Sequence, residues 1–458
     1  MPEVLDDKQP QMARQLELPF MQQGEARPAV RSGEAASADE EPTDPGRSGL
    51  LERVLERDNL LAALKRVCGN KGGPGVDGMT VDELGPYLRD NWLTIREQLL
   101  SGVYQPQPVR RKLIPKGNGK TRELGIPTVL DRFIQQALLQ VLQPMYDPTF
   151  SDHSHGFRPG RSTHDALREA RDIVQGGRTW VVDVDLAKFF DTVNHDILMG
   201  RLARRVEDGR ILRLIRRYLS AGMMADGVTI ERSEGTPQGG PLSPLLANIL
   251  LDEVDKELEA RGHAFVRYAD DSRVFVRSKR AGHRVMRILH KLYGALHLVI
   301  NEQKSAVAPF GERPFLGYTM FQSKRGVALV PSDKSKARIR DTIKELTRRS
   351  RGWSLDAVIR ALAPKIRGWA NYFSLTTFSN ELRTLDKHIR RRLRALILSQ
   401  WRTAKRTRQA MRALGADERQ IRFVTGYLGR WWRGSLKASN MVLTNAFFRQ
   451  RGLPAMAP

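Results

Sequence analysis

An α+β fold with an all-helical C-terminal part is the class this sequence predicts, from where its periodicities lie. Alternating apolar and polar residues mark strands in TWVVDVDL and on both sides of the DD in AFVRYADDSRVFV. Helical spacing dominates elsewhere, and from about residue 334 onward it is almost unbroken. Strands mixed with helices, then a run of helices alone, is an α+β arrangement.

Residues 1–48 are rich in Pro, Gly, Ala, Ser and acids, lack apolar periodicity, and read as a disordered extension. Order is expected from LLERVLERDNLLAALKRV, where Leu51, Val54, Leu55, Leu61 and Leu64 recur at helical spacing. GNKGGPGVDGM is a glycine-rich turn region. Residues 130–143 and 164–175 are again helical, and PQGGPLSPLLANILLDEVDKELEAR passes from a Pro-Gly loop into a long helix. The C-terminal helices are expected to break at Pro364 and at several glycines.

The formal charge is +25, unevenly spread. Residues 1–50 carry −5, whereas residues 334–458 hold 29 Lys and Arg against 7 Asp and Glu, a surplus of 22. So dense a positive segment repels itself without a polyanion, which points to nucleic acid. The sequence has no apolar run of spanning length and no basic-then-apolar leader, so no membrane role is expected and the setting is cytoplasmic. The lone Cys68 excludes an intrachain disulfide and a cysteine-rich zinc site.

Two acidic groups close predicted strands: Asp183, Asp185 and Asp191 in VVDVDLAKFFD, and Asp270 and Asp271 in YADD. Carboxylates there are costly unless paired, and Mg²⁺ suits them because it shares a few carboxylate oxygens with phosphate and water. Alternation puts Asp183 and Asp185 on one face of the strand and does not separate them. His153, His155 and His164 lack further spaced ligands and read as turn or surface residues. GNGK lacks the spacing of a nucleotide-binding P-loop.

Taken in order, several blocks resemble the group II intron reverse transcriptases, and closely the compact bacterial group IIC kind. They are GGPGVDGMT, IPKGNGKTRELGIPTVLDRFIQQAL, SHGFRPGRSTHDAL, VDVDLAKFFDTVNHDIL, GTPQGGPLSPLLANILLDEVDKEL, RYADD, LVINEQKSAV, FLGY, RGWANYF and SNMVLTNAFFRQRGLP. The resemblance implies a right-hand polymerase: fingers at 49–165, palm at 166–320, thumb or maturase-specific region at 321–402, and a basic DNA-binding segment at 403–458. It implies extension of a DNA primer on an RNA template from deoxynucleoside triphosphates with two Mg²⁺ ions. It further implies a grip on group II intron RNA that assists splicing and retrohoming.

By position, the resemblance makes Asp185, Asp270 and Asp271 the catalytic metal ligands, the family's D-x-x-x-F/Y-F-D pattern selecting Asp185. Phe190 falls where such enzymes keep an aromatic gate under the sugar, with core packing as the alternative. Lys116 and Arg122 match phosphate contacts, for either of which Lys120 could substitute. Gln238 matches a contact near the nucleotide sugar, with Gly239 and Gly240 permitting close approach. Lys304 is expected near the nascent strand.

In the basic tail, Arg390, Arg391, Arg392 and Arg394 are expected to form a phosphate-facing surface, with Ile389, Leu393, Leu396 and Ile397 on the other face. Trp369, Tyr372 and Phe373 stand at helical spacing and read as helix core, with base stacking as the alternative. Ser272 departs from the Phe or Cys common after YADD in relatives. With the sequence ending at Pro458, no appended nuclease domain is expected, so the primer would be a borrowed strand. The rival readings are an RNA-binding splicing factor with a dead palm, which the intact aspartates oppose, and a polymerase domesticated for defence or repair.

Overall fold

The computed structural model describes residues 49–457 apart from 118–119, 226–227, 231–233, 237–238 and 438–439; the side chains of 116, 117, 120, 228, 229 and 437 are likewise outside it. The extension expected over 1–48 lies outside the described residues. The chain divides into two compact units, one of residues 1–166 with 182–307, the other of 167–181 with 308–458.

In the first unit, the helices Leu50–Val54 and Arg57–Gly69 pack on the long helix Val129–Tyr146. Their buried stripe is Leu51, Val54, Leu60, Ala63 and Val67, while Leu61 and Leu64 are only half-buried. This corrects the continuous stripe expected from the sequence. The first helix ends at Leu55 and a second starts at Arg57, which resets the phase of the apolar face. The Leu51 N–H donates to Asp208 Oδ2 at 3.1 Å, tying this start to a residue far along the chain.

A hairpin of β1 (Val109–Gly117) and β2 (Lys120–Ile126) continues through β4 (Met223–Ala225) to β5 (Val228–Ile230), in the order β2-β1-β4-β5. A second sheet runs β6-β7-β3-β8, from β6 (Ala264–Tyr268), β7 (Asp271–Val276), β3 (Trp180–Val184) and β8 (Ala306–Pro309). Its apolar positions Val181, Val182, Val184, Phe265, Val274 and Phe275 are buried, as strands covered by helices require. The helix Ser243–Ala260 follows the Pro-Gly loop as its sequence predicts.

The second unit holds the hairpin β9 (Tyr318–Ser323) and β10 (Gly326–Pro331), then helices Asp333–Leu346, Leu355–Tyr372 and Ser379–Trp401 around one apolar core. Pro364 does not break its helix, contrary to expectation; Leu355–Tyr372 runs through it. The reason is its place on the exposed side, where a carbonyl left without an N–H partner can be hydrated. Among the described residues no helix is long and apolar enough to cross a membrane.

Candidate active site

β3 ends at Val184 and delivers Asp185 to the sheet edge. The Asp185 N–H donates to Ser305 Oγ at 3.0 Å, and its carbonyl accepts the Asn301 N–H at 2.8 Å. Its carboxylate holds Lys304 Nζ at 2.8 and 3.1 Å. Lys304 therefore stands at the acidic group itself. Asp183, two residues earlier, lies deeper: its side chain is 13% exposed against 43% for Asp185, and it pairs with the buried Arg273 at 3.4 Å. The two aspartates that alternation left equivalent thus differ in solvent access and in partner.

The other carboxylates come from the β6–β7 hairpin, whose last pair is Tyr268 with Asp271. Ala269 takes the turn at φ 58°, and Asp270 forms the tip. Burial pushes the Asp271 carboxyl up to about 6; Arg273 pulls it down, and Asp183, Asp270 and Asp185 push it up again. That mutual repulsion makes the four acids one electrostatic group. Among the described residues, no three His, Cys, Asp or Glu side chains form a closed metal cage. An open group of repelling carboxylates, one drawn to an ammonium, has the donor chemistry that a hydrated divalent cation takes when phosphate oxygens complete its shell.

Behind the turn sits a buried polar network. Arg267, 1% exposed, donates to both oxygens of Asp255 at 2.8 and 2.9 Å, to Asn248 Oδ1 at 2.8 Å and to the Ala269 carbonyl at 3.0 Å. Asn248 in turn donates to the Gly156 carbonyl at 2.9 Å. The His155 N–H donates to the Arg267 carbonyl and the Arg267 N–H to that of His153, both at 2.9 Å. His155 is 5% exposed and supports β6 rather than standing at the surface, whereas His153 lies in a turn, half-buried, and packs on Phe265. The correction arises because SDHSHG runs beside β6, which local sequence does not reveal. Ser272 is also buried and bonds Tyr293.

A Cβ on Gly156 would lie 2.1 Å from the Ala269 nitrogen. Gly156→Ala should therefore displace the turn bearing Asp270. A shift near 1 Å lowers turnover by about 10²-fold. Primer extension by a variant of unchanged melting temperature measures this, and undiminished turnover would mean that the turn tolerates the push.

Residues Phe189–Asp191 form a short 3-10 turn after Lys188. Phe189 is buried; Phe190 is half-buried and packs edge-on against it, centroids 5.0 Å apart. The Phe190 carbonyl accepts the Thr236 N–H at 2.6 Å. Gly235 lies at φ 89°, where a Cβ would meet the Asp191 carbonyl oxygen at 2.8 Å. Gly235 and Thr236 are thereby held against the turn that carries Phe190.

Phe190, Arg122, Gly239 and Gly240 line one cavity of about 520 Å³. A Cβ on Gly239 would stand 2.5 Å from the Gly125 carbonyl oxygen, so glycine there lets the loop pack against β2. Gln238 lies outside the described residues; Lys116 has its backbone in β1 but its side chain outside them. Asn70, Arg132, Gln136 and Phe157 line the same cavity and escaped the sequence reading. The available signal was Arg132 and Gln136, four apart and so on one face of their helix.

In the second unit, the expected surface of four arginines does not form. Arg392 turns away, its Nε donating to Thr347 Oγ1 at 2.5 Å and its Nη2 to the Lys344 carbonyl at 3.2 Å. Arg394 is buried, with Nε donating to the Leu443 carbonyl at 2.8 Å. Consecutive residues on a helix point some 100° apart, so four neighbours cannot share one face. Arg390 and Arg391 are half-buried on the same helix. Ile389, Leu393, Leu396 and Ile397 are core. Phe373 is buried against Trp369 and Tyr318, so core packing accounts for it; Trp369 is half-buried, and Tyr372 is exposed with its hydroxyl donating to the Leu316 carbonyl at 2.7 Å.

The chain matches the reverse transcriptase (RNA-dependent DNA polymerase) family over residues 114–320 and the group II intron maturase-specific domain over 336–415. It is 34% identical to protein YkfC of Escherichia coli over 344 residues, 64% of this chain and 90% of that protein. It is 37% identical to the group II intron-encoded protein LtrA of Lactococcus lactis over 244 residues, 53% of this chain but 40% of LtrA. The putative COX1/OXI3 intron 1 protein of Saccharomyces cerevisiae is 28% identical over 381 residues, 70% of this chain and 44% of that protein. Two domain models in this order, with strand-end aspartates inside the first, show that the chain belongs to the group II intron reverse transcriptase and maturase family.

Proposed function

We propose that this chain extends a DNA primer on an RNA template from deoxynucleoside triphosphates, and that its C-terminal part grips intron RNA to assist splicing and retrohoming. The observation that carries the first half is the group of mutually repelling carboxylates at the β3 edge and the β6–β7 tip. Reverse transcriptases as a family use divalent metal ions. Here two Mg²⁺, held by Asp185, Asp270 and Asp271, would supply activation of the primer hydroxyl and charge compensation on departing pyrophosphate.

The remaining work falls to the chain. Lys304 keeps the Asp185 carboxylate compensated between turnovers, and Arg273 anchors Asp183 below it. Lys116 and Arg122 neutralise triphosphate oxygens, and Gln238 contacts the sugar. Fingers at 49–165, palm at 166–320, thumb at 321–402 and a basic DNA-binding segment at 403–458 remain our assignment.

Primer extension on RNA with Mg²⁺, against a chelated control, tests the reading. Metal-dependent DNA product is expected; RNA binding without any product would favour a splicing factor alone. Phe190→Ala should raise ribonucleotide relative to deoxynucleotide incorporation by about 10–100-fold, since its ring would no longer clash with a 2′ hydroxyl. Single-nucleotide extension with each sugar measures it. Unchanged discrimination in an active variant would return Phe190 to a packing role.

A further inference from the structure

Lys387, Arg390, Arg391 and Arg394 recur at three- and four-residue steps on the helix Ser379–Trp401, which puts them on one stripe. They line a cavity of about 670 Å³, and Asn440 and Thr444 stand among the residues of its other wall. That wall lies beyond residues 336–415, the span of the maturase-specific domain match. Arg391 lies over the Trp432 ring at 3.8 Å, and among the described residues its buried Nε has no hydrogen-bond partner. Arg394 is 8% exposed, and its one protein hydrogen bond among the described residues goes to the Leu443 carbonyl. Burial, then the charge of Arg390, lowers its guanidinium to about 10. Among the described residues no carboxylate lines the cavity.

A buried guanidinium without a counter-anion is unfavourable, and the fold tolerates it best where a ligand supplies the charge. The fork of an arginine matches phosphate oxygens two at a time. The volume far exceeds one phosphate and lies within the ~300–1,000 Å³ of small-molecule sites, enough for an attached nucleoside. A recess of this kind admits a nucleotide splayed from a single strand, which a stacked duplex does not present.

We propose that this cavity is a discrete nucleotide pocket that takes one phosphate, with its nucleoside, from a single-stranded nucleic acid, Arg390, Arg391 and Arg394 supplying the charge. The proposal rests on the reading that the C-terminal part grips nucleic acid, and it replaces a diffuse basic face with one built site.

The test uses the full chain in chelator, so that no metal-dependent triphosphate binding contributes. The probes are adenosine 5′-monophosphate, adenosine, and a short single-stranded RNA with and without a 5′-phosphate. Saturable binding of the monophosphate but not of adenosine is expected. Arg390→Gln should weaken both monophosphate and RNA about tenfold, the scale of a lost charged hydrogen bond. Arg408→Gln removes equal charge from the helix Ala404–Ala413, outside the cavity lining, and should leave monophosphate binding within about twofold of wild type, as a screened charge. Should Arg394→Lys melt early, Asn440→Ala reports on the same pocket from its other wall.

A gain from the 5′-phosphate assigns the pocket to a strand terminus; equal affinity of the two RNAs assigns it to an internal nucleotide. No monophosphate binding, or equal loss of it in Arg390→Gln and Arg408→Gln while RNA still binds, overturns the pocket and leaves the general grip standing. Failure of the wild-type chain to bind RNA overturns the grip itself.

Discussion

DNA synthesis should fall on the order of 10³-fold in Asp270→Asn and in Asp185→Asn, the scale of losing one preorganised electrostatic contribution. RNA affinity should stay within about twofold, because template binding is dominated by distant phosphate contacts. Asp183→Asn provides the contrast. It removes the carboxylate that pairs at 3.4 Å with Arg273, 3% exposed on its side chain, so its first effect should be a loss of about 1–3 kcal/mol in stability. Primer extension, filter binding and urea melts on the three variants separate these roles. Wild-type extension by either Asp185→Asn or Asp270→Asn would overturn the metal-ligand assignment.

The second large effect is expected at Arg267. Arg267→Met leaves the buried Asp255 carboxylate without its guanidinium, both partners being 1% exposed. Removing one member of such a pair costs about 3–5 kcal/mol, because the remaining charge has no counter-ion. Adding Asp255→Leu should restore most of that stability, since neither charge is then left buried alone. Activity should not return with it. The Ala269 carbonyl would still lack the guanidinium donor that holds the turn bearing Asp270. Recovery of the urea midpoint together with full extension would reduce this network to a stability element. Recovery of the midpoint alone would establish its positioning role.

The strand ends carrying Asp185 and the Asp270–Asp271 pair were legible because alternation and turn chemistry act over a few residues. The helix Ser243–Ala260 and the C-terminal helices were legible for the same reason. The shared cavity of Phe190, Arg122 and the GTPQGG glycines was reached only through the resemblance, since those residues come from separate elements.

What the sequence by itself determined, then, is the type of the segments with clear periodicity, the charge imbalance between its ends, and which acids close which strands. Tertiary structure decided how chemically similar neighbours were sorted. Asp185 was separated from Asp183 by Lys304, 119 residues away, and by Arg273 on a paired strand. Arg394 was drawn inward by the Leu443 carbonyl, 49 residues on, and Arg392 turned toward Lys344. Periodicity reports which residues share a face of their own helix or strand. The free energy of a charge depends instead on what lies across from that face, and chain folding alone brings those partners there.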